Sequence, residues 1–171
     1  MRTVVCPGSF DPVTLGHLDI IVRASVIFDR VIVAVSRNPI KNPMFSISER
    51  VEMLKEVLKP YHNVTIDSFD GLTVSYATEQ NAVAIVRGLR VISDFENEFR
   101  MALINKNIAC HVETLFLMTR AEYSYISSSA VKDVAIFGGP LDRLVPPLVE
   151  KKLRKKLSGS FIGGCCDSRE V

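Results

Sequence analysis

Three short groups of residues in this chain have the chemistry to handle a phosphate. The first is Gly8-Ser9-Phe10-Asp11-Pro12-Val13-Thr14-Leu15-Gly16-His17. It follows the apolar run Thr3-Val4-Val5-Cys6 and precedes Ile20, Ile21, Ala24, Ile27 and Phe28 at helical spacing, so Thr14-x-Gly16-His17 falls where a strand hands over to a helix. Free backbone N–H groups and the positive end of a helix favour an anion at that place. Gly16 has no side chain to obstruct a ligand, and His17 can donate a hydrogen bond to a phosphate oxygen. The second group is Arg87-Gly88-Leu89-Arg90, directly after an apolar run. Two guanidinium forks suit phosphate, and Gly88 between them would let the backbone approach it. The third is Tyr125-Ile126-Ser127-Ser128-Ser129, ahead of a helical pattern. One of its serines is expected to cap the helix, leaving further hydroxyls and N–H groups for an anion.

Each group has an ordinary alternative: a surface histidine, surface ion pairs, a plain N-cap. Whether they form a site depends on the elements that carry them. Val31–Val35 reads as a strand apolar on both faces. Ser46-Ile47-Ser48-Glu49 has capping-box spacing, and the helix it opens stops at Pro60. Val64–Ile66 is a third strand, about 72–81 a helix, Val83–Val86 a fourth strand, and Leu115–Met118 a fifth. Asp94 is expected to cap a helix reaching about Ile108, and Gly138-Gly139-Pro140 ends the helix opened by the serines. Alternating strands and helices predict an α/β fold with a doubly wound, five-stranded parallel sheet and C-terminal helices. Ligands of such sheets lie beyond the carboxyl ends of the strands. All three groups fall there, together with Lys41 after the second strand.

A chain of 171 residues, 47% hydrophobic and 23% charged, has ordinary globular composition. We expect one domain over 1–157 and a loosely ordered tail over 158–171, where Gly, Ser and charge leave little to bury. A net charge of +2 does not call for nucleic acid or a membrane surface, and no apolar run approaches a spanning length. The basic run Lys151–Lys156 is expected to be a solvated helix face. The four cysteines have neither zinc nor disulfide-framework spacing, so we expect a cytoplasmic chain with no metal-ligand set, Cys6 serving as a core hydrophobe.

Thr14-x-Gly16-His17 resembles the T/H-x-G-H signature of the nucleotidyltransferase superfamily, whose Rossmann-like fold agrees with the strand and helix pattern. The chain from about Arg2 to Leu157 resembles more specifically the phosphopantetheine adenylyltransferase family. That likeness rests on Gly8–His17, Lys41-Asn42-Pro43-Met44-Phe45, Arg87-Gly88-Leu89-Arg90 with Asp94-Phe95-Glu96, and Ile126-Ser127-Ser128-Ser129. It implies transfer of the adenylyl group of ATP to 4′-phosphopantetheine, with Mg²⁺ carried on the ATP phosphates. Ser9 would touch both substrates, and His17, Lys41 and Arg90 would act in catalysis. Lys41, Arg87 and Thr73 would hold the phosphopantetheine phosphate. Phe10, Gly88, Leu89, Arg90, Glu98 and the run Tyr123, Ser124, Tyr125, Ile126, Ser127, Ser128, Ser129 would contact ATP. The resemblance also implies a homohexamer and feedback binding of coenzyme A. Asn97 departs from the family, which often has tyrosine there.

An attacking phosphate is already ionised at neutral pH and needs no general base. The difficulty is repulsion between two anions, which His17, Lys41, Arg87 and Arg90 would relieve while aligning them. Other readings are adenylyl transfer to nicotinamide mononucleotide, use of CTP with an alcohol phosphate, or a non-catalytic nucleotide-binding module on the same fold.

Overall fold

The computed structural model describes residues 1–37 and 42–158. Five parallel strands, β1 (Thr3–Gly8), β2 (Arg30–Ser36), β3 (Val64–Phe69), β4 (Ala84–Leu89) and β5 (Glu113–Met118), form one sheet in the order β3-β2-β1-β4-β5. The helices between and after them are α1 (Leu15–Ile27), α2 (Ile47–Leu58), α3 (Thr73–Glu79), α4 (Ile92–Ile108), α5 (Ser128–Ile136) and α6 (Pro147–Ser158), with a 3-10 turn at Ala121–Tyr123. This is the doubly wound α/β sheet expected from the sequence.

Strand alternation explains the two layers. Val4, Cys6, Val31, Val33, Val35, Ala84 and Val86 point to one face, where α1, α2, α5 and α6 cover them. Val5, Ile32, Ala34 and Ile85 point to the other and pack against Val74 and Ala77 of α3. Both faces being covered is why the inner strands β1, β2 and β4 read as continuous apolar runs, whereas the edge strands β3 and β5 keep exposed positions. Cys6 is buried in this core, and burial pushes its thiol up to about 12, which leaves it inert.

Several boundaries differ from expectation, each for a local reason. β3 runs on to Phe69 because Asp67, Ser68 and Phe69 continue the ladder with Ala34, Val35 and Ser36. α3 stops at Glu79, and Asn81 takes the left-handed φ of 52° that ends helices. β4 begins at Ala84 and includes Arg87, Gly88 and Leu89, whose register with Phe116, Leu117 and Met118 keeps them in the sheet. Asp94 does not cap α4: Val91 stands at the N-cap without a side-chain bond, and Asp94 lies in the first turn. Ser46 and Glu49 do form the expected capping box on α2. Part of the basic face of α6 pairs with α2, Lys152 with Glu52 and Lys156 with Glu49, each at 2.7 Å. Residues 159–171, most of the expected tail, lie outside the described residues.

The sheet order reverses between β1 and β4, because the chain moves outward from β1 to β3 and then crosses back to β4. The crevice at the carboxyl ends of these two strands is where such sheets bind ligands.

Candidate active site

A cleft of about 440 Å³ opens at this switch point. Its floor comes from β1 and β4, and its walls from the first turn of α1, the inner face of α4 and the start of α5. A hollow of about 520 Å³, lined mainly by apolar side chains such as Tyr125, Val131 and Leu144, shares Ile126 with it. The smaller, polar cleft holds the charged groups that could act on a phosphate.

β1 ends at Gly8, and the chain turns over the sheet towards α1. Phe10 folds back with a φ of 46°, unusual for a bulky residue. Its ring takes the space a Cβ on Gly8 would need, only 2.9 Å away. The ring stands edge-on to the His17 imidazole, with centroids 5.1 Å apart.

His17 is the third residue of α1, and Thr14 is its N-cap. The Thr14 hydroxyl accepts the His17 backbone N–H at 3.3 Å, while the Thr14 backbone N–H donates to His17 Nδ1 at 3.1 Å. The pair is a capping box with imidazole in the place of the usual Glu or Gln. A backbone N–H can only donate, so Nδ1 is the acceptor, and the proton of the neutral ring sits on Nε2. Burial, reinforced by the charges of Arg90 and Arg87, pushes the imidazole pKa down to about 4. At neutral pH His17 is therefore an uncharged donor through Nε2.

Two arginines approach from β4, and both are clamped by carboxylates of α4. Arg87 donates from Nε and Nη2 to Glu98 at 2.8 and 2.5 Å and from Nη1 to the Pro7 carbonyl at 2.8 Å. Burial alone would lower the pKa of Arg87, but the Glu98 pair more than offsets it and raises it. Arg90 donates to Asp94 at 2.9 and 3.3 Å and to the Ile126 carbonyl at 3.1 Å. Of the five N–H groups on a guanidinium, three are committed in each case, which leaves two for a ligand. Glu98, expected at the nucleotide, thus spends its carboxylate on Arg87.

Gly88 lines the cleft, and its missing side chain has a packing role as well. A Cβ there would lie 2.9 Å from Ile20 Cγ1, so the missing side chain lets α1 sit tightly on β4. Gly88→Ala should lower stability by about 1–3 kcal/mol through overpacking. Urea unfolding checks this; an unchanged midpoint would mean that Ile20 gives way and that packing is not the reason for glycine.

The serines are also partly committed. Ser127 caps α5 by accepting the Ala130 N–H at 3.0 Å, and Ser128 donates its hydroxyl to the Pro12 carbonyl at 2.9 Å. Together with Ser129 they line the cleft beside Ser9, Phe10, His17 and Arg90. Leu89 is buried in β4, Tyr123 and Ser124 belong to the turn behind the cleft, and Tyr125 faces the apolar hollow. Thr73 begins α3 and is not among the residues of this cleft. Lys41 lies outside the described residues.

Sequence reasoning missed the groups that hold these pieces together. Asp11, 6% exposed, accepts the Met44 and Phe45 N–H groups at 3.0 and 2.9 Å and pairs with Lys132 of α5 at 2.9 Å. Arg50 of α2 donates to the Ser9 carbonyl at 2.7 Å. Nothing local signals these partners, which are more than thirty residues apart. Arg90 and Asp94 stand four apart, so that pair was open to a spacing argument.

A parallel sheet with a helix-start histidine and two arginines at its switch point is the architecture of a nucleotidyltransferase. The family model described as cytidylyltransferase-like matches residues 5–134. A solved structure from Vibrio parahaemolyticus superposes with a TM-score of 0.67 at 18% identity, covering 92% of this chain and 95% of that one. A nicotinic acid mononucleotide adenylyltransferase from Plasmodium falciparum does so with 0.65, also at 18%, covering 91% of this chain and 96% of that one. At such identity the likeness is one of fold. Sequence is more specific. Relatives named phosphopantetheine adenylyltransferase include one from Carboxydothermus hydrogenoformans at 64% identity (91% of this chain, 96% of the relative). Another from Desulforamulus reducens is 60% identical, covering 91% and 97%. The chain belongs to the phosphopantetheine adenylyltransferase family, and it is a nucleotidyltransferase enzyme.

Proposed function

We propose that this chain transfers the adenylyl group of ATP to the phosphate of 4′-phosphopantetheine, giving 3′-dephospho-coenzyme A and pyrophosphate. The observation that carries this reading is the convergence of a neutral histidine donor and two clamped arginines at the β1/β4 crevice. It occurs in a chain 64% identical to a relative named phosphopantetheine adenylyltransferase.

The reaction proceeds by in-line displacement. An oxygen of the acceptor phosphate forms a bond to the α-phosphorus of ATP, and the bond to the bridging oxygen breaks, releasing pyrophosphate with no covalent enzyme intermediate. His17 donates through Nε2 to a non-bridging α-phosphate oxygen, where charge accumulates in the pentacoordinate transition state. Arg87 and Arg90 direct their remaining N–H groups to phosphate oxygens. Their pairing with Glu98 and Asp94 fixes the two forks before substrate arrives, so little ordering is left to do during the reaction. ATP would enter as its magnesium complex, the metal supplying charge neutralisation on the phosphates that leave as pyrophosphate. The commitment of Asp94 and Glu98 to arginine agrees with a metal carried by the nucleotide. Ser9, just past the end of β1, would touch both substrates, and Lys41, with Thr73 from the start of α3 beyond the cleft, would serve the phosphopantetheine side.

Lys41→Ala should raise the KM for phosphopantetheine about 10- to 100-fold, the loss of one charge-assisted contact, while the KM for ATP changes little. An unchanged acceptor KM would remove Lys41 from that role. Assembly as a homohexamer is part of the proposal and draws support from the outward side of α4, where Phe95 and Phe99 stack at 5.6 Å and are half exposed beside the edge strand β5. Coenzyme A, which shares the phosphopantetheine moiety, is proposed as a feedback ligand of the same cleft. The scattered cysteines, without zinc or disulfide-framework spacing, support a cytoplasmic setting.

The test is pyrophosphate release from ATP, Mg²⁺ and 4′-phosphopantetheine, with dephospho-coenzyme A confirmed by mass. Turnover only with nicotinamide mononucleotide, or only with CTP, would replace the substrates proposed. ATP binding without turnover on any acceptor would leave a binding module.

A further inference from the structure

We infer that Asp19 is a positioning residue for the nucleotide: it latches the catalytic helix α1 to the wall segment that follows β5. The inference rests on the proposed role of Tyr123–Ser129 at ATP.

Asp19 lies two residues beyond His17 on α1, and its side chain is 3% exposed. It accepts the backbone N–H of Arg120 at 3.2 Å and the Arg120 Nε at 3.1 Å. Arg23, one turn further along α1, donates from Nη1 to Asp19 at 3.2 Å and to the Met118 carbonyl at 2.6 Å. The two side chains therefore grip the backbone on either side of Thr119, where the chain leaves β5. From that grip the segment runs through the turn Ala121–Tyr123 to Ile126, whose carbonyl is held by Arg90. Midway, the Tyr123 carbonyl sits 3.5 Å from where a Cβ on Gly16 would be, so the wall abuts the first turn of α1. Its near end is tied to the helix that carries His17, and its far end to an arginine of the site.

Two features make the arrangement more than filler. A buried carboxylate costs desolvation that an apolar residue of similar size would not incur, so it is weak as a source of stability but strong in geometric definition. The atoms it grips are main-chain atoms, and fixing these sets the register of the whole wall. Asp19 and His17 lie about 3 Å apart along a rigid helix axis. The two side chains leave the helix about 200° apart, so a shift of the latch would reach the imidazole by moving α1 as a rigid body against the wall.

The test compares Asp19→Asn and Arg120→Ala with the unaltered enzyme. Three readouts are taken: KM for each substrate with kcat, ATP affinity by calorimetry, and amide hydrogen exchange over 119–127 without ligand. Arg120 is 62% exposed, so its truncation leaves the core intact should Asp19→Asn fold poorly. We expect Asp19→Asn to speed exchange across 119–127 and to weaken ATP about tenfold or more, the loss of a charged hydrogen-bond set, with the phosphopantetheine KM within about twofold. Arg120→Ala should move the same quantities by less. Unchanged exchange and ATP affinity in either folded variant would overturn the latch. So would an equal rise in both KM values, the mark of general loosening. Because exchange and ATP affinity are read without an acceptor, failure of adenylyl transfer to phosphopantetheine in the unaltered enzyme counts against the proposed reaction and not against the latch.

Discussion

His17→Ala should lower kcat about 10²- to 10³-fold, the usual loss when one preorganised donor to a developing oxyanion is removed. ATP affinity should change little, because the donor acts most strongly on charge that appears only in the transition state. The structure sharpens this expectation. With Nδ1 accepting the Thr14 N–H and the pKa near 4, the neutral ring works as a donor and has no proton to take up from an already ionised nucleophile. The rate should therefore show no dependence on His17 protonation between about pH 6 and 8, and nitrogen NMR of the ligand-free enzyme should show the Nε2–H tautomer there. Normal turnover in His17→Ala would exclude the residue from the mechanism; an Nδ1–H tautomer would exclude this version of its role. The depressed pKa has a consequence for stability as well. The unfolded chain binds a proton at this histidine near pH 6.5, whereas the folded chain does so only near 4. The contribution is thus fully present above pH 6.5 and is lost as pH falls from 6.5 towards 4. His17→Ala should lose less stability than the unaltered chain across that window.

Asp11→Ala should cost on the order of 3 kcal/mol of stability, the range seen when one partner is removed from a buried ion pair. It would orphan the Met44 and Phe45 N–H groups and leave Lys132 without its carboxylate. Asp11→Asn should recover little: one oxygen can still accept, but its NH₂ would face donors. Denaturant unfolding of both variants checks this. A loss below about 0.5 kcal/mol, the level of an ordinary surface change, would show that the three segments are held by other contacts. Activity should fall with stability, since Asp11 joins the loop that bears Ser9 and leads into α1 to the segment Met44–Phe45 ahead of α2 and, through Lys132, to α5.

The sheet was legible because its inner strands β1, β2 and β4 carry apolar residues on both faces, a pattern that depends on local sequence alone. The strand-to-helix step at His17 was legible for the same reason, as was the capping box at Ser46 and Glu49. Less local features were not. Arg87, Gly88 and Leu89 look like a loop after an apolar run, and only pairing with β5 shows them to be strand. Gly88 next to two arginines suggests ligand approach, and only packing shows that Ile20, sixty-eight positions earlier, also leaves no room for a side chain there. Asp94 has the composition of a cap and the function of an arginine clamp.

Residue types and spacing alone determined the fold class and placed three phosphate-suited groups at one end of the sheet, because periodicity and helix-start motifs are short-range properties. Tertiary structure alone decided the state of the groups in that crevice: the tautomer and charge of His17, which guanidinium N–H groups are left uncommitted, and which buried carboxylates bind the walls together. Those depend on burial and on partners brought close only when distant segments pack, and no local spacing records either.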